Sequence, residues 1–499
     1  MSRRSILIIA LMTCLSFGTY LVASQLTYRM GFPLDDAWIH QTYARNFADR
    51  GEWAFLPGQP SAGSTAPVWS LVLALGHKLG FNSLMWANLL GLGILIGIGI
   101  VGAFGIRCLI QGGRQWELWA GLLLVFEWHL VWSAGSGMET LAYTLIILLG
   151  LVLVVYSENR ANKSSDAGWQ SWLWLGLGAL AGLSVFLRPD GITLLAAFAS
   201  AIFFSHRRLD IKLRIGFLLF IGFGLIFVPY LYFNHSLAGN WWPNTFFAKQ
   251  AEYAILRETE FWKRYLYQTR VILTGVGIIL LPGFIWTVVQ AFLKRSAAVL
   301  AGALWVIGYL GIYAWRLPVV YQHGRYVIPA IAVFCVWGLA GLFEFLRIAR
   351  ISRFPNLLSR TWVTATAVIL LLFWIIGGRS FALDVAIIES EMVDTAYWID
   401  RNTPDDALIA AHDIGALGYF GGRSMIDLAG LISPEVIPII RDEQAIRDLL
   451  IARKADFLVT FPGWYPYLTR QFAPVYSSDG NFSPQSGGEN MAVYRLLDW

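Results

Sequence analysis

The feature that most constrains this chain is a series of apolar runs, each of a length that can cross a lipid bilayer as a helix. Eleven runs can be read, at 5–24, 84–106, 116–134, 138–156, 170–187, 190–204, 212–233, 270–292, 297–315, 326–347 and 361–378. A transmembrane helix needs about 20 mostly apolar residues. Only 14% of the residues are charged, against about 25% in a soluble domain. The sequence therefore predicts a polytopic α-helical membrane protein with about 11 spans.

Charge is distributed unevenly along the chain. Residues 385–499 contain 16 acidic and 8 basic residues, whereas residues 1–384 contain 16 acidic and 29 basic ones. The basic residues cluster in short loops at 107–114, 160–163, 207–214, 294–295 and 347–360. Basic loops stay on the cytoplasmic side of a membrane, which explains the basic excess without any binding of nucleic acid. The N-terminus is thus expected inside and residues 385–499 outside.

This topology predicts two domains. Residues 1–384 form the transmembrane domain, with a large first outer loop at 25–83, and residues 385–499 form an extracytoplasmic α/β domain. In the second domain we expect helices at 391–401 and 442–453 and strands at 407–411, 424–427, 457–461 and 492–496. The segments that begin at Asp413 and Asp427 follow two of these strands, where binding loops commonly lie.

One apolar segment of the first loop, Pro67–Gly80, is not predicted to cross the membrane. It has only 14 residues, and if it crossed the membrane it would place Arg107 and Arg114 on the outer side. An interfacial or re-entrant helix accounts better for a segment of this length.

An acidic pair, Asp35 and Asp36, opens the first loop, and an amphipathic stretch, Trp38–Phe47, follows it. Adjacent carboxylates attract a proton, an arginine or a cation, as a general base or a metal ligand does. The alternative is an acidic N-cap of a helix on the membrane surface. A cap uses one carboxylate, so the pair favours a functional role. Glu139, at the outer end of a span, is either a first-turn residue favoured by the helix dipole or a functional one.

Five other polar residues fall in or beside the predicted outer loops at 188–189, 234–269 and 316–325: Arg188, Asn244, Lys249, His323 and Arg325. Arg325 lies near an outer boundary, where the positive-inside rule disfavours a cation, so a local anion is a reasonable partner for it. A planar guanidinium suits a phosphate, but Arg188 could instead pair with Asp190, and Arg325 could reach the lipid phosphates by snorkelling. Asn244 and Lys249 lie among aromatic residues. These aromatics are either interface anchors or part of a site for a polar lipid headgroup or a sugar.

Two other patterns have simpler interpretations. Gly176, Gly178 and Gly182 lie within a span without dinucleotide-binding spacing, which predicts close helix packing through small residues. The 7 His and 3 Cys residues show no metal-ligand spacing. A divalent cation, if one binds, is therefore expected on carboxylates, with Asp35 and Asp36 as the candidates.

Six short motifs resemble the GT-C superfamily of integral-membrane glycosyltransferases, in particular bacterial relatives of the mycobacterial terminal arabinofuranosyltransferase. They are DDA-x-I…YARN at 35–46, GMET at 137–140, RPDG at 188–191, PNT-x-x-AK at 243–249, HGRY at 323–326 and D-x-G-x-x-G-Y at 413–419. Each motif alone is weak, and their common order over most of the chain carries the resemblance.

The resemblance implies a hexosyl- or pentosyltransferase with a polyprenyl-phosphate sugar donor and an envelope glycan, lipid or protein acceptor. It implies Asp35 as the catalytic base, with Asp36 and Glu139 shaping the site or holding a cation. The donor-binding residues would be Arg188, Asn244, Lys249, His323 and Arg325. The enzyme would lie in the bacterial cytoplasmic (inner) membrane, in contact with membrane lipid. The motifs do not identify the sugar.

The main alternative is a transporter or flippase of a lipid-linked saccharide. Such a protein would carry charges deep inside its spans and internal repeats. Here the charged motifs cluster at one face, and no repeat is evident in the sequence. These two observations favour the transferase.

Overall fold

A computed structural model describes residues 1–110, 112–161, 167–349 and 355–496. Lys163, Arg350 and Arg353, which belong to the predicted basic loops, lie outside the described residues. The helices are α1 (Arg3–Thr27), α2 (Asp36–Arg50), α3 (Pro67–Lys78), α4 (Ser83–Leu109), α5 (Glu117–Phe126), α6 (Trp128–Ala134), α7 (Thr140–Ala161), α8 (Ala167–Leu187), α9 (Ile192–Phe204), α10 (Leu209–Ala238), α11 (Asn244–Glu252), α12 (Phe261–Leu273), α13 (Gly277–Leu293), α14 (Ala297–Arg316), α15 (Ile328–Ala349), α16 (Pro355–Ile388), α17 (Asp394–Asn402) and α18 (Glu443–Arg453).

All eleven predicted runs are helical. Among the described residues, seven helices are long and apolar enough to cross a membrane: α1, α4, α7, α10, α14, α15 and the continuous helix Arg360–Asn402. The bent pair of α12 and α13 would be an eighth, and α8 and α9 are shorter apolar helices. The prediction of a polytopic α-helical membrane protein is confirmed.

Two predicted runs contain breaks that the apolar pattern does not show. Run 116–134 divides at Glu127, whose extended backbone (φ −67°, ψ 118°) ends α5. The Glu127 carboxylate then caps α6 by accepting the Leu130 N–H at 3.0 Å. Run 270–292 divides between α12 and α13, which meet at 106°. Gly275 supplies the left-handed backbone (φ +86°) at this bend.

The first loop folds as two packed helices, α2 and α3, joined by a short hairpin of β1 (Ala54–Leu56) and β2 (Gln59–Pro60). His40 Nδ1 lies 3.0 Å from Ser70 Oγ, and His77 Nε2 lies 3.0 Å from Gln41 Oε1, so two polar contacts join the helices. Helix α3 has 12 residues and is therefore about 18 Å long, too short for a bilayer core of about 30 Å. Its helical character is confirmed, and its place relative to the bilayer stays a prediction.

The C-terminal part contains a five-stranded sheet with the order β4-β3-β5-β7-β6. Its strands are β3 (Leu408–Ala411), β4 (Ser424–Asp427), β5 (Phe457–Thr460), β6 (Pro474–Ser477) and β7 (Ala492–Arg495). Strand β3 is parallel to both neighbours, and β7 is antiparallel to β5 and β6. The four predicted strands are confirmed, whereas β6 was not predicted. The buried strands consist mostly of apolar residues because both faces of the sheet are covered.

The sheet is joined to the helical bundle by a continuous helix and by ion pairs. The helix Arg360–Asn402 has 43 residues and passes through position 385 without a break. Near its end, Glu389 and Asp394 pair with Arg29 of the first loop at 2.6 Å and 2.8 Å. These contacts hold the first loop against the C-terminal part. The predicted domain division at 385 stays a prediction.

Candidate active site

A cavity of about 310 Å³ lies at the end of the helical bundle that faces the C-terminal sheet. Residues from the start of α7, the turn before α9, α11, the end of α14 and the turn before α15 line it. They are Thr65, Met138, Glu139, Thr140, Arg188, Pro189, Asp190, Ile192, Thr193, Trp242, Thr245, Phe246, Lys249, Gln250, Ile312, Tyr313, Arg316, Leu317, Arg325 and Tyr326. The wall is mainly apolar, and cationic side chains are set into it.

Asp36, Arg325 and Lys249 form an ionic cluster at this cavity. Arg325 Nη2 donates to Asp36 Oδ2 at 2.6 Å, and Lys249 Nζ lies 3.6 Å from the same oxygen. Although burial opposes its ionisation, the Arg325 guanidinium and the Lys249 ammonium hold the pKa of Asp36 well below its usual range. The cluster therefore carries two positive charges and one negative charge.

Arg325 keeps unused hydrogen-bonding capacity. The residue is only 8% exposed, yet its Nε and Nη1 atoms are buried without a hydrogen-bond partner in the described part of the chain. A buried donor without a partner costs about 1–3 kcal/mol, and more when the group is charged. Because Arg325 lines the cavity, an anion bound there would supply the missing acceptors.

Glu139 and Arg188 form a second buried cluster in the same wall. Arg188 Nε lies 3.3 Å from Asp190 Oδ1 and 3.8 Å from Glu139 Oε1, and its Nη2 donates to Tyr313 Oη at 2.7 Å. Glu139 Oε2 lies 3.4 Å from His40 Nε2 of α2. His40 and Arg188 therefore lie close enough to stabilise the Glu139 carboxylate as an anion. Arg188 therefore pairs with Asp190, as the alternative interpretation of the sequence predicted. It also lines the cavity.

Asp35 faces the C-terminal sheet and not the cationic cluster. Although it precedes α2, its side chain makes no capping hydrogen bond. Its two oxygens instead accept the backbone N–H groups of Gly415 and Ala416, at 2.7 Å and 2.8 Å. Burial and the neighbouring Asp413 raise the pKa of Asp35 well above its usual value. The two members of the acidic pair therefore lie in different environments.

The structure does not bring Asn244 and His323 into the cavity wall. Asn244 is buried at the first residue of α11, while later residues of that helix line the cavity. His323 Nε2 lies 2.7 Å from Asp384 Oδ2, and its ring contacts Trp128 and Trp132. The left-handed backbone of His323 (φ 57°) turns the chain sharply, so that His323 and Arg325 contact different parts of the bundle.

The residues of the acidic pair do not fit a divalent cation. Asp36 is already neutralised by two cationic side chains, and both oxygens of Asp35 accept backbone N–H groups. Within residues 1–110, 112–161, 167–349 and 355–496, no three His, Cys, Asp or Glu side chains converge as a metal site. A hard cation needs several free oxygen ligands, and three of the four carboxylate oxygens of this pair already have partners.

Several lining residues were not predicted from the sequence. Arg316 donates from Nη2 to Gln250 Oε1 at 2.7 Å, and Thr245 has a buried hydroxyl without a partner among the described residues. Arg316 stands at a predicted outer boundary, where the positive-inside rule disfavours a cation. The signal that identified Arg325 would therefore have identified Arg316 as well. Thr245 belongs to the PNT-x-x-AK motif at 243–249, but it was not among the predicted donor-binding residues.

Comparisons with known proteins support the fold. Residues 385–494 match a family described as a domain of unknown function (DUF8728). No curated protein matches the sequence significantly. Structurally, the chain is similar to ArnT from Cupriavidus metallidurans bound to undecaprenyl phosphate, with 14% identity, a TM-score of 0.57 and 97% of each chain covered.

Two further similarities agree with this. The oligosaccharyltransferase of Archaeoglobus fulgidus gives a TM-score of 0.63 at 11% identity, over 92% of this chain and 69% of the other. The arabinofuranosyltransferase AftD from Mycobacteria gives 0.51 at 13% identity, over 100% of this chain and 40% of the other. At such identities the likeness concerns the fold. The chain therefore has the fold of the GT-C superfamily of membrane glycosyltransferases.

Proposed function

We propose that this protein transfers a sugar from a polyprenyl-phosphate donor to an acceptor hydroxyl. The observation that carries the proposal is Arg325, a buried guanidinium in the wall of a largely apolar cavity, two of whose nitrogens have no hydrogen-bond partner among the described residues. The structurally similar ArnT binds undecaprenyl phosphate, and the Archaeoglobus oligosaccharyltransferase has been solved in complex with an inhibitory peptide and a dolichol-phosphate. Undecaprenyl phosphate and dolichol-phosphate both join a phosphate to a long apolar chain. Such a ligand suits an apolar wall that carries cationic side chains.

The cavity has a region for each part of such a donor. The apolar side chains of Ile192, Phe246 and Ile312 suit a polyprenyl chain, because they lose nothing by contact with hydrocarbon. The phosphate suits Arg325 and Lys249, since charge-assisted hydrogen bonds to phosphate are about twice as strong as neutral ones. Undecaprenyl phosphate bound in this way would share these cations with Asp36.

The reaction needs a base on one side of the sugar and a cationic group on the other. In our proposal the acceptor oxygen bonds to the anomeric carbon, and the bond from that carbon to the phosphate oxygen breaks. The phosphate leaves with the electron pair, and Arg325 and Lys249 stabilise its developing charge. Asp35 accepts the proton of the acceptor hydroxyl. Asp36 joins the two halves, because it follows Asp35 in the chain and pairs with both cations.

The proposal includes the biological setting. The donor phosphate site is placed on the outer face of a bacterial cytoplasmic membrane, and the acceptor is an envelope glycan, lipid or protein. Residues 385–499 act there as an extracytoplasmic domain, and the transferred sugar is a hexose or a pentose. The charge distribution of the loops supports this orientation.

The proposed mechanism assigns no step to a divalent cation. The Archaeoglobus oligosaccharyltransferase has been crystallised with Zn and sulfate, but here the two carboxylates that a cation would need are committed to other partners. Arg325 and Lys249 supply positive charge beside the proposed phosphate position.

The test uses the full-length protein in proteoliposomes with a panel of radiolabelled undecaprenyl-phosphate pentoses and hexoses and an envelope extract as acceptor. Transfer predicts release of undecaprenyl phosphate and incorporation of label into the extract. Movement of intact labelled donor between leaflets, without release of undecaprenyl phosphate, would instead establish the transporter. Arg325→Ala should abolish the release, and the exposed Lys263→Ala on α12 serves as the control.

A further inference from the structure

We infer that the loop after β3, His412–Ala416, belongs to the reaction site, where its backbone holds Asp35 in position and Asp413 tunes its basicity. The inference rests on the proposed function, because it assigns to this loop a role in the chemistry of Asp35. Among the described residues, none of the C-terminal sheet lines the cavity at Arg325, so the cavity alone does not indicate a role for the sheet in transfer.

The position of the loop follows from the sheet. Strand β3 lies between two parallel neighbours, β4 and β5, so His412 emerges at the middle of the edge formed by the carboxyl ends of the three strands. Loops at this edge of parallel sheets are where ligands and reacting groups usually meet. Here the edge is directed at α2, which begins with the acidic pair.

The contact with Asp35 uses both of its oxygens. Gly415 N–H donates to Oδ2 at 2.7 Å and Ala416 N–H donates to Oδ1 at 2.8 Å. Two donors from consecutive residues fix the rotation of the carboxylate and favour its ionised form. Gly415 is required for this approach, since a Cβ added there would lie 2.0 Å from the backbone oxygen of Asp35 and 2.7 Å from its Oδ2.

The same segment continues along α2. Arg45 Nη1 donates to the backbone oxygen of Tyr419 at 2.6 Å, and Arg45 Nη2 donates to that of Gly418 at 3.2 Å. The Trp38 ring packs on the rings of Tyr419 and Phe420, with centroids 4.8 Å and 4.6 Å apart. Helix α2 is therefore held along much of its length by residues that follow Asp413, and the Asp35 contact is part of a continuous interface.

Asp413 acts on Asp35 through charge. Its Oδ2 is buried and has no hydrogen-bond partner among the described residues, so its negative charge is not fully compensated. After burial itself, the charges of Asp413 and Asp36 raise the pKa of Asp35. The pKa of Asp413 is raised by burial, Asp36, Glu252 and Asp427 and is lowered by His412. A neighbouring carboxylate disfavours ionisation, so Asp413 opposes the two N–H groups and makes Asp35 a stronger base once it is deprotonated.

The test compares two glycine variants of the same segment in the proteoliposome assay. Gly415→Ala forces a Cβ against Asp35, whereas at Gly421 the nearest atom to an added Cβ is 3.7 Å away. We expect Gly415→Ala to lower kcat at least tenfold while the Kd for undecaprenyl phosphate changes less than twofold. Gly421→Ala should match the wild type in both quantities.

A third variant tests the tuning of Asp35. Asp413→Asn removes the repelling charge, so the pKa of Asp35 falls and the acid limb of the pH profile of kcat should move to lower pH. A purely structural role of Asp413 would leave the position of that limb unchanged.

The results separate this inference from the proposed function. If the wild type releases no undecaprenyl phosphate from any sugar donor, the proposed function is wrong. If the wild type is active and Gly415→Ala equals Gly421→Ala in kcat, the positioning role is wrong. An equal loss of kcat and of undecaprenyl phosphate binding in Gly415→Ala would also overturn it, because a contact that only positions Asp35 does not contribute to binding of the donor phosphate. An unmoved pH profile in Asp413→Asn overturns the tuning role.

Discussion

Asp35 and Asp36 are neighbours in sequence, but their carboxylates have opposite surroundings. Asp36 pairs with Arg325 and Lys249, which stabilise its charge. Asp35 is bound by backbone N–H groups and is destabilised as an anion by burial and by Asp413. Two carboxylates whose environments drive their pKa values apart are suited to different tasks. Asp35 suits proton transfer, and Asp36 suits the organisation of the cationic cluster.

Replacement of Asp35 by Asn should abolish transfer, because an amide cannot accept the acceptor proton. One of its two donor contacts should also be lost, since the amide NH₂ would face a backbone N–H, which destabilises the fold by about 1–3 kcal/mol. Transfer and thermal unfolding in detergent are measured together. The exposed Asp49 on the same helix provides the control, Asp49→Asn. Near wild-type turnover in Asp35→Asn would remove this residue from the catalytic role.

Substitutions of Arg325 test whether this residue binds a phosphate or anchors the protein in the membrane. Arg325→Ala should weaken binding of undecaprenyl phosphate by about 2–5 kcal/mol, the usual effect of truncating one member of a buried hydrogen-bonded charge pair. Arg325→Lys keeps the charge but loses the forked geometry, so partial weakening is expected. Binding is measured by titration of undecaprenyl phosphate, with the acceptor extract titrated separately. If Lys is fully tolerated and Ala affects only expression or stability, Arg325 is a snorkelling anchor.

At the scale of single residues, the sequence predicts which polar side chains are unusual but not which of them meet. Arg325 stood out because it lies at an outer boundary, yet its partner Asp36 is 289 positions away. His323 stood out with it, but left-handed backbone at that turn directs it to Asp384. Such pairings depend on tertiary packing, which one sequence does not reveal.

Helices α8 and α10 show what the glycines of the spans do. An added Cβ at Gly178 would lie 2.0 Å from the backbone oxygen of Leu219, and one at Gly222 would lie 2.0 Å from that of Leu175. The two backbones therefore approach as closely as small residues allow. The prediction of helix packing is confirmed for Gly178. A Cβ added at Gly176, two positions earlier, would meet no atom within 4 Å in the described part of the chain beyond its own helix backbone.

This pair of glycines gives a matched test of helix packing. Gly178→Ala should lower the free energy of unfolding by about 1–3 kcal/mol through overpacking. Gly176→Ala should raise it by about 0.5–1 kcal/mol, because alanine loses less entropy than glycine in a helix. Thermal unfolding in one detergent compares the two variants with the wild type. Equal midpoints for both variants would show that the contact of α8 with α10 does not limit stability.

The location of α3 tests the predicted topology. Lys78, at its exposed end, should lie on the outer side if the helix does not cross. Lys78→Cys should therefore react with a membrane-impermeant maleimide in intact cells. The wild type, which contains Cys14, Cys108 and Cys335, measures the background of maleimide labelling. Reaction only after the cells are opened would mean that α3 reverses the topology and that the orientation of the loops is wrong.

The type of a secondary-structure element was easier to predict from the sequence than the points at which an element is interrupted. Apolar composition alone indicated the helical runs, because a bilayer leaves few alternatives for a spanning backbone. The break at Glu127 was not predicted, since its capping of Leu130 and its pairing with His129 at 2.8 Å are local contacts inside an apolar run. Strand β6 was missed because it begins with Pro474 and none of its four residues is buried, which gives it no alternating pattern.

On the scale of the whole molecule, the candidate site is assembled from both halves of the chain. The cationic cluster belongs to the helical bundle, whereas the donors to Asp35 come from the loop after β3. Composition predicted the two halves through the contrast between their charges. It did not predict that the C-terminal part contacts α2, because the donors to Asp35 are backbone groups 380 positions away.

The charge distribution of the whole site leads to a prediction about metal ions. Arg325 and Lys249 place two positive charges beside the single carboxylate of Asp36, so a divalent cation there would meet net repulsion. Treatment with EDTA should therefore leave the rate of transfer within about twofold of the untreated enzyme, a free-energy difference of about 0.4 kcal/mol. The measurement is release of undecaprenyl phosphate before and after chelation, with a zinc-dependent hydrolase treated in parallel as the control. Loss of transfer that Mg²⁺ or Zn²⁺ restores would mean that Asp35 or Asp36 exchanges its present partners for a cation during the reaction.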